Sequence, residues 1–526
     1  MEFKRSFRTD KTDSRCVYPK VHSWSMDGSG DCCSWDGIEC DEVTGRVIAL
    51  NLSSSCLSGT MSPNTTLFRL VHVESLNLAY NSFNFSPIPY GFSNLSRLQY
   101  LNLSHSDFSG EIPHDISQLS WLVSLDLSTS WGLTLHLLNM GDLVHNSTGL
   151  KEIDLSSVSL SSPVPHVLAN FSSLTSLRLG NCRLNGDFPV SIFQMPNLEI
   201  LDISLNPNLS GFFPKPHWGS PLKLLYLSST DFSGEIPASI GNLSLLNELD
   251  ASHCSFSGLP SSLGNLSHLT ALDLRRNDLL DQIPVSELGY CGLNGDFPVS
   301  IFQLPNLEVL DISGNSNLSG ILPKPHWGSP LKSINLYNTK FSGEIPSSIG
   351  NLSLLNELDA SECHFSGSLP SSLGNLSHLT TLVLYGNNLQ GQIPVSFADL
   401  TQLSQLILSS NNLSGDTLEW VVNLTKLTDL EISGNSFFLS AGSVGSLSFS
   451  LCATPWYHRS LEVHRRSLPP RPPPKPQPQR PRAKPETGTS SSTSMPTSQS
   501  SPPPSYPKPY PSIDDRHSSV LSKISA

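Results

Sequence analysis

The sequence predicts an α/β solenoid: a curved superhelix of about 17 stacked coils with a parallel β-sheet on its concave face, followed by a disordered Pro/Ser-rich tail. Two observations carry this. A motif with alternating leucines returns about every 24 residues, and the composition changes abruptly near residue 440. The repeat is plain in "LQYLNLSHSDFSGEIP" (98–113), "LTSLRLGNCRLNGDFP" (174–189) and "LTTLVLYGNNLQGQIP" (379–394). In each, two leucines spaced by one residue point the same way from a short strand. One strand cannot bury that face alone, so coils stack and share a core.

The second leucine of each pair serves as a marker. Markers run from Leu52 to Ile432 and include Leu274, Leu288 and Ile312. Three residues past the marker the chain turns, and there the side chains run Cys182, Asn206, Thr230, Cys254 and Asn277, then Cys291, Asn315, Thr339, Cys363 and Asn387. Buried at a turn, such a group can bond backbone atoms that no sheet satisfies. Cys182, Cys254, Cys291 and Cys363 are therefore expected to be buried thiols rather than disulfide partners. In "SGEIP" the Gly supplies a turn conformation, and the Pro ends strand pairing.

Three domains follow: residues 1–46 as an incomplete cysteine-containing cap, 47–440 as the solenoid, and 441–526 as the tail. Within the solenoid, residues 182–286 return as 291–396, with "PKPHWGSPLK" at 214–223 and 323–332. The join is ten residues short of a coil, because Leu274 and Leu288 are only 14 apart, which predicts a local fault. Residues 131–149 read as an inserted loop. The tail holds 16 prolines between 467 and 511, too few apolar groups for a core.

Charge divides the same way. The chain has 31 Lys/Arg and 44 Asp/Glu, and residues 1–440 hold 20 and 40 of them. So acidic a body repels nucleic acid and anionic lipid. No run of apolar residues is long enough to span a membrane, and the first 25 residues carry no signal-peptide core. Phosphate loops, HExxH and GxSxG are missing, so no catalytic residue, cofactor or metal is expected; "DCCSWDGIEC" lacks the two spaced pairs of a zinc site.

The repeat "LDASECHFSGSLPSSLGNL" (358–376) and the opening "YPKVHSW…GDCCSWDGIECDEVTGRVIALNLSSSCLSG" resemble plant leucine-rich-repeat receptor-like proteins of the disease-resistance type, over about residues 1–440. The resemblance implies a disulfide between Cys33 and Cys40. It also implies that Cys32 pairs with a cysteine near the start of the mature chain, for which Cys16 is a substitute candidate. The family's export signal, further repeats and membrane helix have no counterpart here, which reads as truncation at both ends. By resemblance the location is extracellular or at the plasma membrane. The partners implied are a peptide or protein ligand and, in intact relatives, receptor kinase co-receptors.

Fifteen Asn-x-Ser/Thr sequons fit an exported surface, although the repeat itself generates many of them. Asn64, Asn94, Asn146, Asn170, Asn242, Asn265, Asn351 and Asn375 are the candidate glycosylation sites. The residue before each marker points to the open side of the sheet, and nine of 17 are acidic. This column suits a basic peptide, or simply bonds across the sheet edge. Tyr and Arg anchor interfaces. The candidate ligand-binding residues are therefore Arg178, Tyr226, Asp250, His253, Asp273, Arg275, Arg276, Asp311, Tyr337, Asp359 and Tyr385. His217–Trp218 and His326–Trp327 read as packing residues under a loop. Alternative roles are an inhibitor of a secreted polysaccharide hydrolase, a wall-associated structural protein, or a non-functional gene fragment.

Overall fold

The computed structural model describes residues 2–25, 31–129, 135–137, 140–147, 149–215, 217–277, 293–324, 327–415, 419–437, 448–452 and 460–464. The chain forms two units, Met1–Arg466 and Ser467–Ala526; everything below concerns the first.

Sixteen parallel strands form one open ribbon, from Val47–Asn51 to Asp429–Glu431, each paired with the next coil's strand. An antiparallel strand, Ile38–Cys40, closes its N-terminal edge. The register is set by the alternating leucines. Leu177, Leu201, Leu225 and Leu249 lie side by side and are buried, and so are the markers that follow them.

The coil count needs correction at the join. Ala271–Asp273 pairs directly with Val309–Asp311, so the ribbon passes from the Leu274 coil to the Ile312 coil with no rung between. Leu288 and the expected fault lie outside the described residues. The inserted loop leaves the ribbon intact in the same way: Ser124–Asp126 pairs directly with Glu152–Asp154, and Met140–His145 forms a short helix in the excursion.

The turn side chains knit each coil to its neighbour. Buried Asn206 donates from Nδ2 to the carbonyls of Leu179 and Ile203, both at 2.9 Å. Its Oδ1 accepts from the amides of Cys182 (3.0 Å) and Leu184 (2.9 Å). Asn277, Asn315, Asn387, Asn411 and Asn435 repeat this bridge. The Cys182 thiol reaches the Leu155 carbonyl, and those of Cys254 and Cys363 reach Leu227 and Leu336. All three thiols are buried and free; burial raises their pKa, that of Cys254 to about 12. Cys291 lies outside the described residues.

The "SGEIP" segments are more than turns. Asn185–Asp187, Asn208–Gly211, Asp231–Glu235 and Ser255–Ser257 pair as a second parallel stack. Seven segments from Asn294–Asp296 to Ser436–Phe437 do the same. Gly234 and Gly343 do sit at φ +84° and +86°, and the strands end before the Ile-Pro pairs. A Cβ on Gly211 would lie 2.5 Å from the ring of Phe232. Glycine there lets the rings of neighbouring coils form a buried spine, with Phe213 and Phe256 stacked at 4.7 Å. Short 3-10 helices such as Ala238–Asn242 return the chain to the next strand.

Of residues 441–526, the described part is an antiparallel pair of strands, Ser448–Cys452 and Ser460–His464. Trp218 packs edge-on against Phe193 and Phe213, and Trp327 against Phe302.

Asn206→Ala leaves up to four backbone groups without partners and is expected to lower unfolding free energy by about 3 kcal/mol in chemical denaturation. Asn206→Thr is expected to cost about half as much, because Thr230 at the same place still bonds the Leu227 carbonyl.

Candidate functional site

The open face of the ribbon is built by the strand residues that alternate with the leucines. The register places Asp154, Arg178, Asp202, Tyr226, Asp250, Asp273, Asp311, Asn335 and Asp359 in one unbroken column. Over its described length, from Asn51 to Glu431, eight of its residues are acidic and one, Arg178, is basic.

Part of this acidity is engaged locally. The Oδ1 atoms of Asp202 and Asp250 accept from the backbone amide and hydroxyl of the serine two residues on, and so does that of Asp359. Other bonds cross between coils, from Asn102 to Asp126 at 2.9 Å and from Asn335 to Asp311 at 3.0 Å. Burial raises the pKa of Asp154 and Asp202, with neighbouring carboxylates adding to it.

The sequence-selected residues lie on one face but not in one pocket. From Arg178 to Tyr385 they span nine rungs, roughly 38 Å at the usual strand spacing. Three of them meet closely. Asp273 and Asp311 are adjacent and buried, and Arg275 reaches both, at 3.2 and 3.8 Å. Burial, then the charges of Asp250 and Asp311, push the Asp273 carboxyl well above its ordinary range against the pull of Arg275. Arg276 lies beside Gly314, where a Cβ would stand 2.7 Å from its Cγ. His253, Arg276 and Tyr337 are exposed at the edge.

Sequence reasoning missed Glu248 and Glu362. The hydroxyl of Tyr226 donates to Glu248, and that of Tyr385 bonds Glu362; burial and Glu248 raise the Tyr226 pKa, and Glu362 leads in raising that of Tyr385. The signal for Glu248 was present: it stands two residues before Asp250, so the strand period puts both on one side.

In the cap, Cys33 is bonded to Cys40. The structure corrects the partner suggested for Cys16, which is bonded to Cys56, while Cys32 keeps a free thiol. The reason is the path of the N-terminal arm. Arg8–Thr9 pairs with Leu57–Ser58, and the Arg15 guanidinium grips Asp13 and Asp107, both at 2.7 Å. This lays Cys16 along the first coil. Cys32 instead lines an apolar cavity of about 500 Å³ with Phe3, Trp24 and Trp35. The eight candidate glycosylation asparagines are all exposed, and six of them end a 3-10 helix.

Comparison with known proteins agrees with this geometry. The family described as "Leucine-rich repeat region" matches residues 295–453. "Leucine Rich Repeat" matches 97–119, 173–195, 221–243 and 245–266, and "Leucine rich repeat N-terminal domain" matches 1–41. Receptor-like protein 6 of Arabidopsis thaliana is 46% identical over 243 residues, covering 44% of this chain and 24% of that protein. Receptor-like protein Cf-9 of Solanum pimpinellifolium is 38% identical over 232 residues, covering 44% and 26%. The chain is a leucine-rich-repeat protein, similar to the plant receptor-like proteins. Its match spans about a quarter of the length of these two relatives. Among solved structures, the Arabidopsis receptor kinase HAESA, in complex with the peptide hormone IDA and the co-receptor SERK1, is similar with a TM-score of 0.66 at 27% identity, over 83% of this chain and 77% of that one. A TDR receptor gives 0.60 at 27% identity, over 72% and 62%. No helix among the described residues is long and apolar enough to cross a membrane.

The raised Asp273 carboxyl has a consequence for stability. The folded state holds this proton more tightly than the unfolded chain, so stability falls as pH rises from near 3.8 through the raised folded value. Asp273→Asn is expected to flatten that loss. Its unfolding free energy, measured against the parent, should rise between pH 4 and pH 7.

Proposed function

We propose that this chain is the ligand-binding part of an extracellular receptor-like protein, and that its open face takes a peptide or a peptide-like segment of a protein. The observation that carries this reading is the column itself: a continuous row on the open face with eight carboxylic side chains, two of them buried, and one guanidinium. Such a face favours a basic partner over an acidic one. The solved neighbour with the same architecture holds a peptide hormone and a co-receptor. The bonded pairs Cys33–Cys40 and Cys16–Cys56 fit an oxidising, extracellular setting. Signalling would then run through a partner kinase, with defence as the setting suggested by the Cf-9 relative.

The fold offers binding rather than chemistry. Among the described residues the carboxylates recur with the repeat, and those of Asp202, Asp250 and Asp359 hold their own strand ends. The three described turn cysteines are buried and have raised pKa values, which suits packing and not nucleophilic attack.

The test is selection of a displayed library of random linear peptides on the full chain, produced by secretion. Enriched peptides should be rich in Lys and Arg, and their affinity should fall on the order of tenfold when salt is raised from low to well above physiological strength. Enrichment of acidic peptides, or of none, would contradict the reading.

A further inference from the structure

The two copies of the internal duplication provide a comparison that the chain makes with itself. Residues 182–258 align without a gap on 291–367, and 61 of the 77 positions are identical. The 16 differences are unevenly placed. Each coil presents four residues on the open side: the first and third of its strand, and the first two after the marker. Over the three coils with strands Ile200–Asp202, Leu224–Tyr226 and Glu248–Asp250, 7 of these 12 positions differ. Only 9 of the other 65 do.

One rung holds most of the change. Leu224, Tyr226, Ser228 and Ser229 have become Ser333, Asn335, Tyr337 and Asn338. The buried frame beneath is nearly unchanged, with Leu225 facing Ile334 in the alignment, Leu227 facing Leu336 and Thr230 facing Thr339. Packing therefore does not demand the difference, since one scaffold carries both sets.

The two sets have different chemistry. In the first copy Ile200 and Leu224 are register partners, half-buried on the open face, with Tyr226 two residues further along the strand and Leu205 exposed at the turn that ends the Ile200 rung. In the second copy Ser333 stands beside Val309, Asn335 bonds Asp311, and the tyrosine has moved to the edge as Tyr337, 37% exposed. An apolar station has become a polar one with an aromatic rim. Because Ala271–Asp273 joins Val309–Asp311 directly, the stations stand four rungs apart on one sheet. That is roughly 19 Å at the usual strand spacing, which an extended peptide covers in about six residues.

We infer that the Leu224–Ser229 and Ser333–Asn338 rungs are two unlike reading stations for a single extended basic peptide, which sets an aliphatic or aromatic side chain against Ile200 and Leu224 and another residue against Tyr337. The partly exposed carboxylates along the column, Asp202, Asp250 and Asp359 among them, select the basic chain, and the stations select its sequence. This rests on the function proposed above and names where on that face specificity lies.

The experiment uses basic peptides selected on the full chain from the random linear library. Their binding is measured to the rung exchange L224S/Y226N/S228Y/S229N and to a control exchange on the second sheet, D231K/S255H. Both take residues from the other copy, and the melting temperature of each is compared with that of the parent. The expected result is about a tenfold loss for the rung exchange, with little change for the control. Ser228→Tyr alone, which adds an aromatic ring to an open position, keeps the test valid if the fourfold exchange does not fold; it is expected to weaken binding in the same direction. Peptides that bind the rung exchange or the single variant as well as the parent overturn this inference and leave the proposed function standing. Failure to enrich any peptide overturns both.

Discussion

The structure depends on how the turn after each strand is satisfied. A chain that reverses direction in every coil exposes backbone groups that no sheet can pair, and in the core each would cost about as much as a lost hydrogen bond. In most of the described coils one short polar side chain meets them. Asn206, Asn277 and Asn315 each bond carbonyls of their own coil and of the preceding one, and accept an amide of the preceding coil. Cys and Thr do a smaller version of the same work. Where that side chain is Asn or Cys, the coil is thereby tied to its neighbour, and the leucines beneath can interlock.

Once that frame is fixed, the open face carries little of the packing, although its aspartates hold their own strand ends. The leucines and phenylalanines hold the interior, the second sheet holds the flank, and the residues alternating with the leucines contribute little to packing. This is why acidic, aromatic and apolar side chains can succeed one another along the column without disturbing the ribbon. It is also why two near-identical stretches of chain can carry different chemistry on one side. A binding role follows from that freedom more readily than a catalytic one, because the same face that tolerates variation holds its groups apart at strand spacing.

Much of the ribbon was legible in the sequence, because its period is long, repeated and carried by buried leucines. The marker at Leu274 and its partner at Ile312 were visible, but not that their strands pair directly, since register between coils is set in space and not by distance along the chain. The second sheet was hidden for a related reason. Segments such as Asp231–Glu235 have a glycine at positive φ and only a few residues, and they become strands only when the next coil lies beside them. Cys16 was misassigned because its partner depends on the arm anchored by Arg15 to Asp107, a contact across 92 residues. On the open face, the column around Asp250 was readable from the two-residue period, whereas the meeting of Arg275 with both Asp273 and Asp311 required the direct pairing across the join.

The continuity of that pairing is the point on which the rest turns. It is tested most directly by amide hydrogen exchange of the intact chain, read at the join. The amides of Leu274, Arg276 and Ile312 donate to Asp311, Ser313 and Asn335. They should exchange as slowly as those of Leu227 and Leu336, which hold the same place in undisputed interior rungs. Exchange at the join as fast as in the exposed loops would contradict an unbroken ribbon, and with it the single face on which the proposed peptide lies.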